Sequence, residues 1–256
     1  MCYNITSALQ TQLKRAIHNN NSEQISILLK KLEQYAVTSH YQLSGFAHNE
    51  LLVYTNKEPN SPTPSVWGLI PHWVKNENQK VKLWNSTLNA RGESIFEKPS
   101  FKKSAQDMRC ILHVDGFFEH HHLNNKKYPF FITEKDKNPI SFGCLFSEWT
   151  DRNTGEMINS FSIVTTEGNE FLSKIHNNPK SEEPRMPLIL NETEEEIWLN
   201  DDHSESFMAE IKSLIKPNHE IQLKAHTVRR LSGKESVGNI PEAQEEYFYE
   251  ELGEII

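Results

Sequence analysis

The chain has 256 residues, a formal net charge of -8 and a mean hydropathy of -0.64, so it can bury a sizeable core as one domain or two small ones. No apolar run approaches the roughly 18 residues of a membrane span, and three cysteines without a C-x-x-C pair argue against a disulfide framework or a structural zinc site. With no basic-then-apolar leader at the start, a reducing cytoplasm is the expected setting.

The start, Met1-Cys2-Tyr3-Asn4, is the stretch richest in chemistry. If Met1 is removed, Cys2 offers a thiol and an α-amine on adjacent carbons. An α-amine titrates near 7.7–8.0 against about 10.4 for lysine, so its free-base fraction at neutral pH is on the order of 200-fold higher. Such a 1,2-aminothiol can condense with an aldehyde and close the imine into a thiazolidine. A cysteine at position 2 can equally be incidental, so the case depends on the other residues.

Residues 7–37 carry apolar side chains at helical spacing, interrupted at Asn19-Asn20-Asn21, and are expected as two scaffold helices with Ser22 as the second N-cap. Leu51 to Tyr54 suits a buried strand, and residues 56–64 form a turn-rich loop. Ser65 to Trp73 is a short strand broken by Pro71, with Trp67 and Trp73 as either core packing or stacking surfaces. Asn89, Arg91 and Glu93 alternate, so an extended segment projects all three to one face. Between Lys75 and Arg109 lie eight basic residues against four acidic ones, while seven Glu and no Lys or Arg follow Lys234. The overall acidity therefore leaves room for a local basic patch, or for an ordinary solvated surface.

Arg109 to Glu119 reads as a core strand turning at Asp115-Gly116, and Glu119 follows two phenylalanines, a setting that suits acid–base work. His120 to His122 cannot share one site and are read as surface, with no metal set expected. Tyr128–Thr133 and Ile140–Phe146 are strands joined by a hairpin-like connection, and Cys110 and Cys144 lie in apolar runs as core thiols. Ser160–Thr166 is another strand, residues 167–175 are helical up to His176, and residues 184–190 form a short strand. Thr193 with Glu196 fits a capping box, a further helix spans 204–215, and the end is a polar, acidic tail. No repeat and no glycine-rich phosphate loop is present.

Cys2, Trp67-Gly68-Leu69-Ile70-Pro71-His72-Trp73, Asn89-Ala90-Arg91-Gly92-Glu93, Lys98-Pro99-Ser100-Phe101, Asp115-Gly116-Phe117-Phe118-Glu119, Thr165-Thr166-Glu167, Ile175-His176 and Arg185-Met186-Pro187 stand in an order that resembles the SOS-response-associated peptidase (SRAP) family. The resemblance runs from Cys2 to about Leu199. It implies an α+β, strand-dominated fold with a barrel-like mixed β core and helices at the rim. The implied domain spans residues 1–235, with 7–37 as a helical insertion and 236–256 as an acidic tail. It also implies a covalent crosslink to abasic sites in single-stranded DNA, with Cys2 as the crosslinking residue, Asn89 holding the mature N-terminus, Glu119 and His176 as acid–base groups, and Arg91 on a DNA phosphate. Self-processing to expose Cys2 is implied as well. Lys98, Lys102 and Lys103 are candidates for further phosphate contacts, and Trp67 and Trp73 for base stacking. No cofactor, no membrane and a monomer are expected. Tyr3-Asn4 replace the family's usual Gly-Arg, so a phosphate contact is missing or supplied from elsewhere. His120 replaces the usual Trp after Glu119, and the spacing from His176 to Arg185 is stretched. Two rivals remain. An N-terminal-nucleophile amidohydrolase would turn over a small amide without DNA. A non-catalytic binding module would be indifferent to Cys2.

Overall fold

The structure is a computed structural model that describes residues 2–7, 11–13, 17, 21–34 and 40–253. Its strands are β1 (Asn4–Ser7), β2 (His40–Ser44), β3 (Glu50–Thr55), β4 (Thr63–Trp67), β5 (Asn89–Arg91), β6 (Arg109–Val114), β7 (Gly116–Leu123), β8 (Lys126–Glu134), β9 (Ile140–Thr150), β10 (Met157–Glu167), β11 (Arg185–Pro187), β12 (Ile189–Leu190) and β13 (Leu223–Thr227). Its α-helices are α1 (Ser22–Gln34), α2 (Glu77–Trp84), α3 (Lys102–Asp107), α4 (Glu170–Ile175), α5 (Glu192–Trp198) and α6 (Glu205–Leu214).

Strands β10, β4, β3, β6 and β9 pair in turn, and β9 pairs back to β10, closing a five-stranded barrel. The β4–β10 contact is parallel and the other four are antiparallel, so the barrel is mixed, as expected. Closure leaves no free edge on those strands. Because β9 occupies one edge of β10, β4 and β5 follow one another along the other, with Phe161 opposite Trp67 and Ile163 opposite Asn89. A second, antiparallel sheet runs β13-β8-β7-β1-β2. The main core lies between barrel and sheet: Cys2, Ile5 and Phe117 from the sheet meet Cys110, Phe142 and Phe161 from the barrel.

Period-two alternation explains the division within β7. Phe117 enters the main core, whereas Phe118 packs with Phe131, Val228 and Leu231 on the other face. Glu119, two residues after Phe117, is carried back toward the main core. The segment 109–119 is thus two strands in different sheets, with the crossing at Asp115, not one strand with a turn. The connection from β8 to β9 is likewise a crossing between sheets and not a hairpin. The tight hairpin is β7–β8, where Asn124 and Asn125 adopt φ of 50° and 62° between Leu123 and Lys126. Two consecutive left-handed residues match the strand twist, which Asn tolerates.

At the rim, α1 begins at Ser22, with Asn21 O accepting from Ile25 N–H at 3.0 Å, so the cap position is Asn21, one residue before the expected Ser22. Of the other expected N-terminal helix, residues 11–13 and 17 are helical and the remainder lies outside the described residues. The capping box opens α5 from Asn191 and Glu194, two residues earlier than Thr193 and Glu196. The acidic end folds back on the five-stranded sheet: Tyr247 N–H donates to Thr227 O at 2.8 Å and Tyr249 Oη to Val228 O at 2.9 Å. Among the described residues, no helix is long and apolar enough to cross a membrane.

Candidate functional site

The seam between sheet and barrel gathers Cys2, Asn89, Glu119 and His176. Cys2 precedes β1, whose pairing with β7 and β2 places it in the sheet, and its side chain is fully buried. Across the seam, Asn89 on β5 donates from Nδ2 to Cys2 O at 2.9 Å. Its Oδ1 is buried without a hydrogen-bond partner among the described residues. Trp67 supports that strand from below, donating from Nε1 to Leu88 O at 2.9 Å.

Glu119 arrives from β7, buried, with Oε1 accepting from His120 N–H at 2.9 Å. Its Oε2 lies 3.3 Å from His176 Nδ1. His176 ends α4 and is also buried; Nδ1 donates to Arg185 O at 2.9 Å. The stretched His-to-Arg spacing therefore does not separate the two residues. Arg185 in turn donates from both terminal nitrogens to the Glu93 carboxylate, each at 2.8 Å, and from Nη2 to Thr165 O at 2.8 Å.

Burial pushes the Cys2 thiol well above the ordinary thiol range, and the Glu119 carboxylate pushes it further. Tyr3 is shifted upward by burial, then by Glu119 and Cys2. His176 is shifted downward, because burial outweighs the opposing pull of Glu119. The site thus holds a protonated thiol and a neutral imidazole around the Glu119 side chain at neutral pH.

The flanking residues divide. Arg91 is half-buried and shares a strand face with Asn89, while Ala90 points into the second core cluster. Glu93 leaves that face: β5 stops at Arg91, residues 92–94 turn in a 3-10 helix, and Glu93 faces Arg185. Trp73 is half-buried and donates from Nε1 to Pro99 O at 3.1 Å, which ties it to the segment bearing the exposed Lys98, Lys102 and Lys103. Trp67 is corrected as a stacking surface: its ring is fully buried against Phe161 and Gly45, with no face open to a base. The basic stretch is also thinner than its count. Arg109 is buried, with its guanidinium on four backbone carbonyls, and Lys80 is buried beside Glu77 and Trp84. The histidine run does not face solvent freely. His121 Nδ1 donates to Lys174 O at 3.0 Å, and His122 N–H donates to Asn177 Oδ1 at 2.6 Å, bracing the segment that carries His176.

Two participants carried no signal of their own in the sequence: Glu93 as the clasp of Arg185, and Tyr3 as a neighbour of Glu119. An Arg followed closely by apolar residues after the histidine was the available hint of a buried, carboxylate-held guanidinium.

The family model for SOS response associated peptidase (SRAP) matches residues 1–235. Abasic site processing protein YoqW of Bacillus subtilis (strain 168) is 35% identical over 166 residues, covering 64% of this chain and 68% of that protein. Abasic site processing protein YoaM of the same organism is 32% identical over 204 residues, covering 78% and 84%. A crystal structure of a protein from Bacteroides thetaiotaomicron superposes with a TM-score of 0.80 at 30% identity, covering 96% of this chain and 100% of that one. The motifs, the closed mixed barrel with its seam site and these likenesses agree, and the chain belongs to the SRAP family.

Proposed function

We propose that this protein processes abasic sites in single-stranded DNA by forming a covalent crosslink through Cys2 once Met1 is gone. The observation that carries the reading is the seam itself: the Cys2 backbone anchored by Asn89, with a buried Glu119–His176 pair beside it. The names of the related proteins support the lesion as target.

The open form of an abasic sugar is an aldehyde. The α-amine of Cys2 adds to its carbon, and the carbinolamine loses one water to give an imine. The thiol then adds across the C=N bond, its sulfur bonding carbon and its proton passing to nitrogen. The balance is aldehyde plus aminothiol giving thiazolidine plus water. Glu119 accepts the proton shed by the attacking amine and returns one to the departing hydroxyl. The thiol is held protonated until ring closure, so the same carboxylate is suited to collect its proton. His176, neutral at pH 7, relays protons on ring opening. Asn89 fixes the residue-2 carbonyl and leaves Oδ1 as an acceptor for the freed amine. Arg91 and Lys98, Lys102 and Lys103 hold phosphates. Closing the ring removes the imine that promotes strand elimination. Removal of Met1 by the protein itself is part of the proposal.

The test is denaturing electrophoresis of the protein with single-stranded DNA carrying one abasic site. A heat-stable adduct is expected from wild type, with none from Cys2→Ala or with undamaged DNA. Glu119→Gln is expected to slow its formation and reversal roughly 100-fold. An adduct formed equally by Cys2→Ala defeats the mechanism.

A further inference from the structure

Beside the nucleophile, the turn after β2 presents an aromatic ring that the chemistry above does not use. Residues Gly45–Ala47 form a short 3-10 turn fastened at both ends. Gly45 N–H donates to Tyr3 O at 2.8 Å, and His48 N–H returns to Gly45 O at 3.0 Å. Trp67 lies so close beneath that a Cβ on Gly45 would sit 3.1 Å from the indole. His48, at φ 49°, stacks on Trp84 with centroids 4.0 Å apart, pinning the exit. Phe46 is left 55% exposed, and Tyr3 stacks against it with centroids 5.1 Å apart and an interplanar angle of 28°.

We infer that the Phe46 ring, backed by Tyr3, is a stacking platform for the nucleobase next to the lesion. The inference rests on the reading of the chain as a binder of abasic single-stranded DNA, and goes beyond it by naming what holds the flanking nucleotide. Tyr3 follows Cys2 directly, with Cα atoms about 3.8 Å apart, so a sugar reacting at Cys2 brings its neighbour to this shelf. An abasic nucleotide has no base, so the flanking base has lost a stacking partner on the lesion side. An aromatic ring replaces that partner whatever the sequence. The turn is already fixed by its hydrogen bonds and by the rings of Trp67 and Trp84, so little is lost in ordering it on binding. The exposed aromatic beside the nucleophile is thus Phe46, and the buried Trp67 is its footing.

The test uses the full chain as wild type, Phe46→Ala and Phe46→Trp, with single-stranded oligonucleotides carrying a tetrahydrofuran abasic analogue. The analogue lacks an aldehyde, so binding is measured apart from chemistry. In one set the neighbours of the analogue carry bases; in the other they are base-free. Phe46→Ala is expected to weaken binding to the first set by roughly 5- to 100-fold, and Phe46→Trp to retain it. On the second set, wild type and Phe46→Ala are expected to bind equally. Wild-type affinity of Phe46→Ala for the first set, or an equal loss on both sets, overturns the platform. A true abasic oligonucleotide run in parallel separates the two claims. Crosslinking without the base dependence removes the platform alone. The base dependence without crosslinking by wild type removes the covalent reading alone. No binding by wild type to either set removes both.

Discussion

The imidazole of His176 meets two oxygens through one nitrogen: Nδ1 is 2.9 Å from Arg185 O and 3.3 Å from Glu119 Oε2. A carbonyl oxygen can only accept, so Nδ1 carries the proton and Nε2 is the basic nitrogen of the neutral ring. Burial lowers the folded-state pKa against the pull of Glu119. The unfolded chain therefore takes up this proton first, near pH 6.5, and the folded state only at lower pH. Above that window the group leaves stability unchanged; below it, stability falls as pH falls. His176→Gln is expected to lose less Tm than wild type between about pH 7 and about pH 5. Crosslinking is expected to persist below the ordinary histidine range in wild type, and an acid limb of the rate that His176→Gln leaves in place removes His176 as its source. At this scale Cys2, Asn89, Glu119 and His176 were legible from residue type and order. For Trp67 the sequence left core packing and stacking both open, because the choice depends on Gly45 and Phe161, which lie far off in sequence.

Between elements, the contact that most directly shapes the site is the clasp of Arg185 on β11 with Glu93 at the turn after β5. It joins the strand carrying Asn89 to the residue whose carbonyl orients His176. Burial is the largest single influence on the Glu93 carboxyl and pushes it up, but the Arg185 hydrogen bond, a backbone hydrogen bond and the charges of Arg185 and Arg91 together outweigh it and hold the group below the ordinary range. Glu93→Ala removes the two-pronged partner of a guanidinium that is 1% exposed and leaves it Glu183 Oε1 at 3.1 Å and Thr165 O at 2.8 Å; it is expected to cost about 1.5–3 kcal/mol in urea unfolding. Glu93→Gln, which keeps hydrogen-bond acceptance, is expected to cost less and to retain faster crosslinking. Equal midpoints for Glu93→Ala and wild type contradict the clasp. The alternation of Asn89, Arg91 and Glu93 suggested one face because nothing local announces the 3-10 turn at Gly92. Strands such as β6, β9 and β10 were legible from their apolar runs. Their closure into a barrel was not, because the parallel β4–β10 pairing joins residues almost a hundred positions apart and leaves no periodic trace.

Over the whole molecule, a closed barrel and an open antiparallel sheet each lend residues to one seam: β1 and β7 bring Cys2 and Glu119, while β5 and β11 bring Asn89 and the acceptor for His176. The C-terminal segment braces the sheet at both edges, β13 and β2, and at β8. Tyr128 Oη donates to Glu251 Oε1 at 2.9 Å, and Gln244 Nε2 donates to Tyr41 O at 3.2 Å. Truncation after residue 235 removes several such bonds at about 0.5–1.5 kcal/mol each, and is expected to lower Tm by roughly 5–10 °C. Adduct formation should survive at temperatures below the new transition; a truncation with unchanged Tm contradicts the bracing. The acidic composition of this segment left its order open, because its tyrosine and backbone contacts depend on partners in β2, β8 and β13. The central claim is chemical: an aminothiol at residue 2, freed of Met1, captures an aldehyde as a ring. Intact mass spectrometry after reaction with abasic single-stranded DNA, with and without borohydride, tests it directly. The predicted adduct has the mass of the Met1-free protein plus the DNA minus one water, is unchanged by borohydride and maps to Cys2. An adduct on another residue, on protein retaining Met1, or one that gains two hydrogens on reduction contradicts the account.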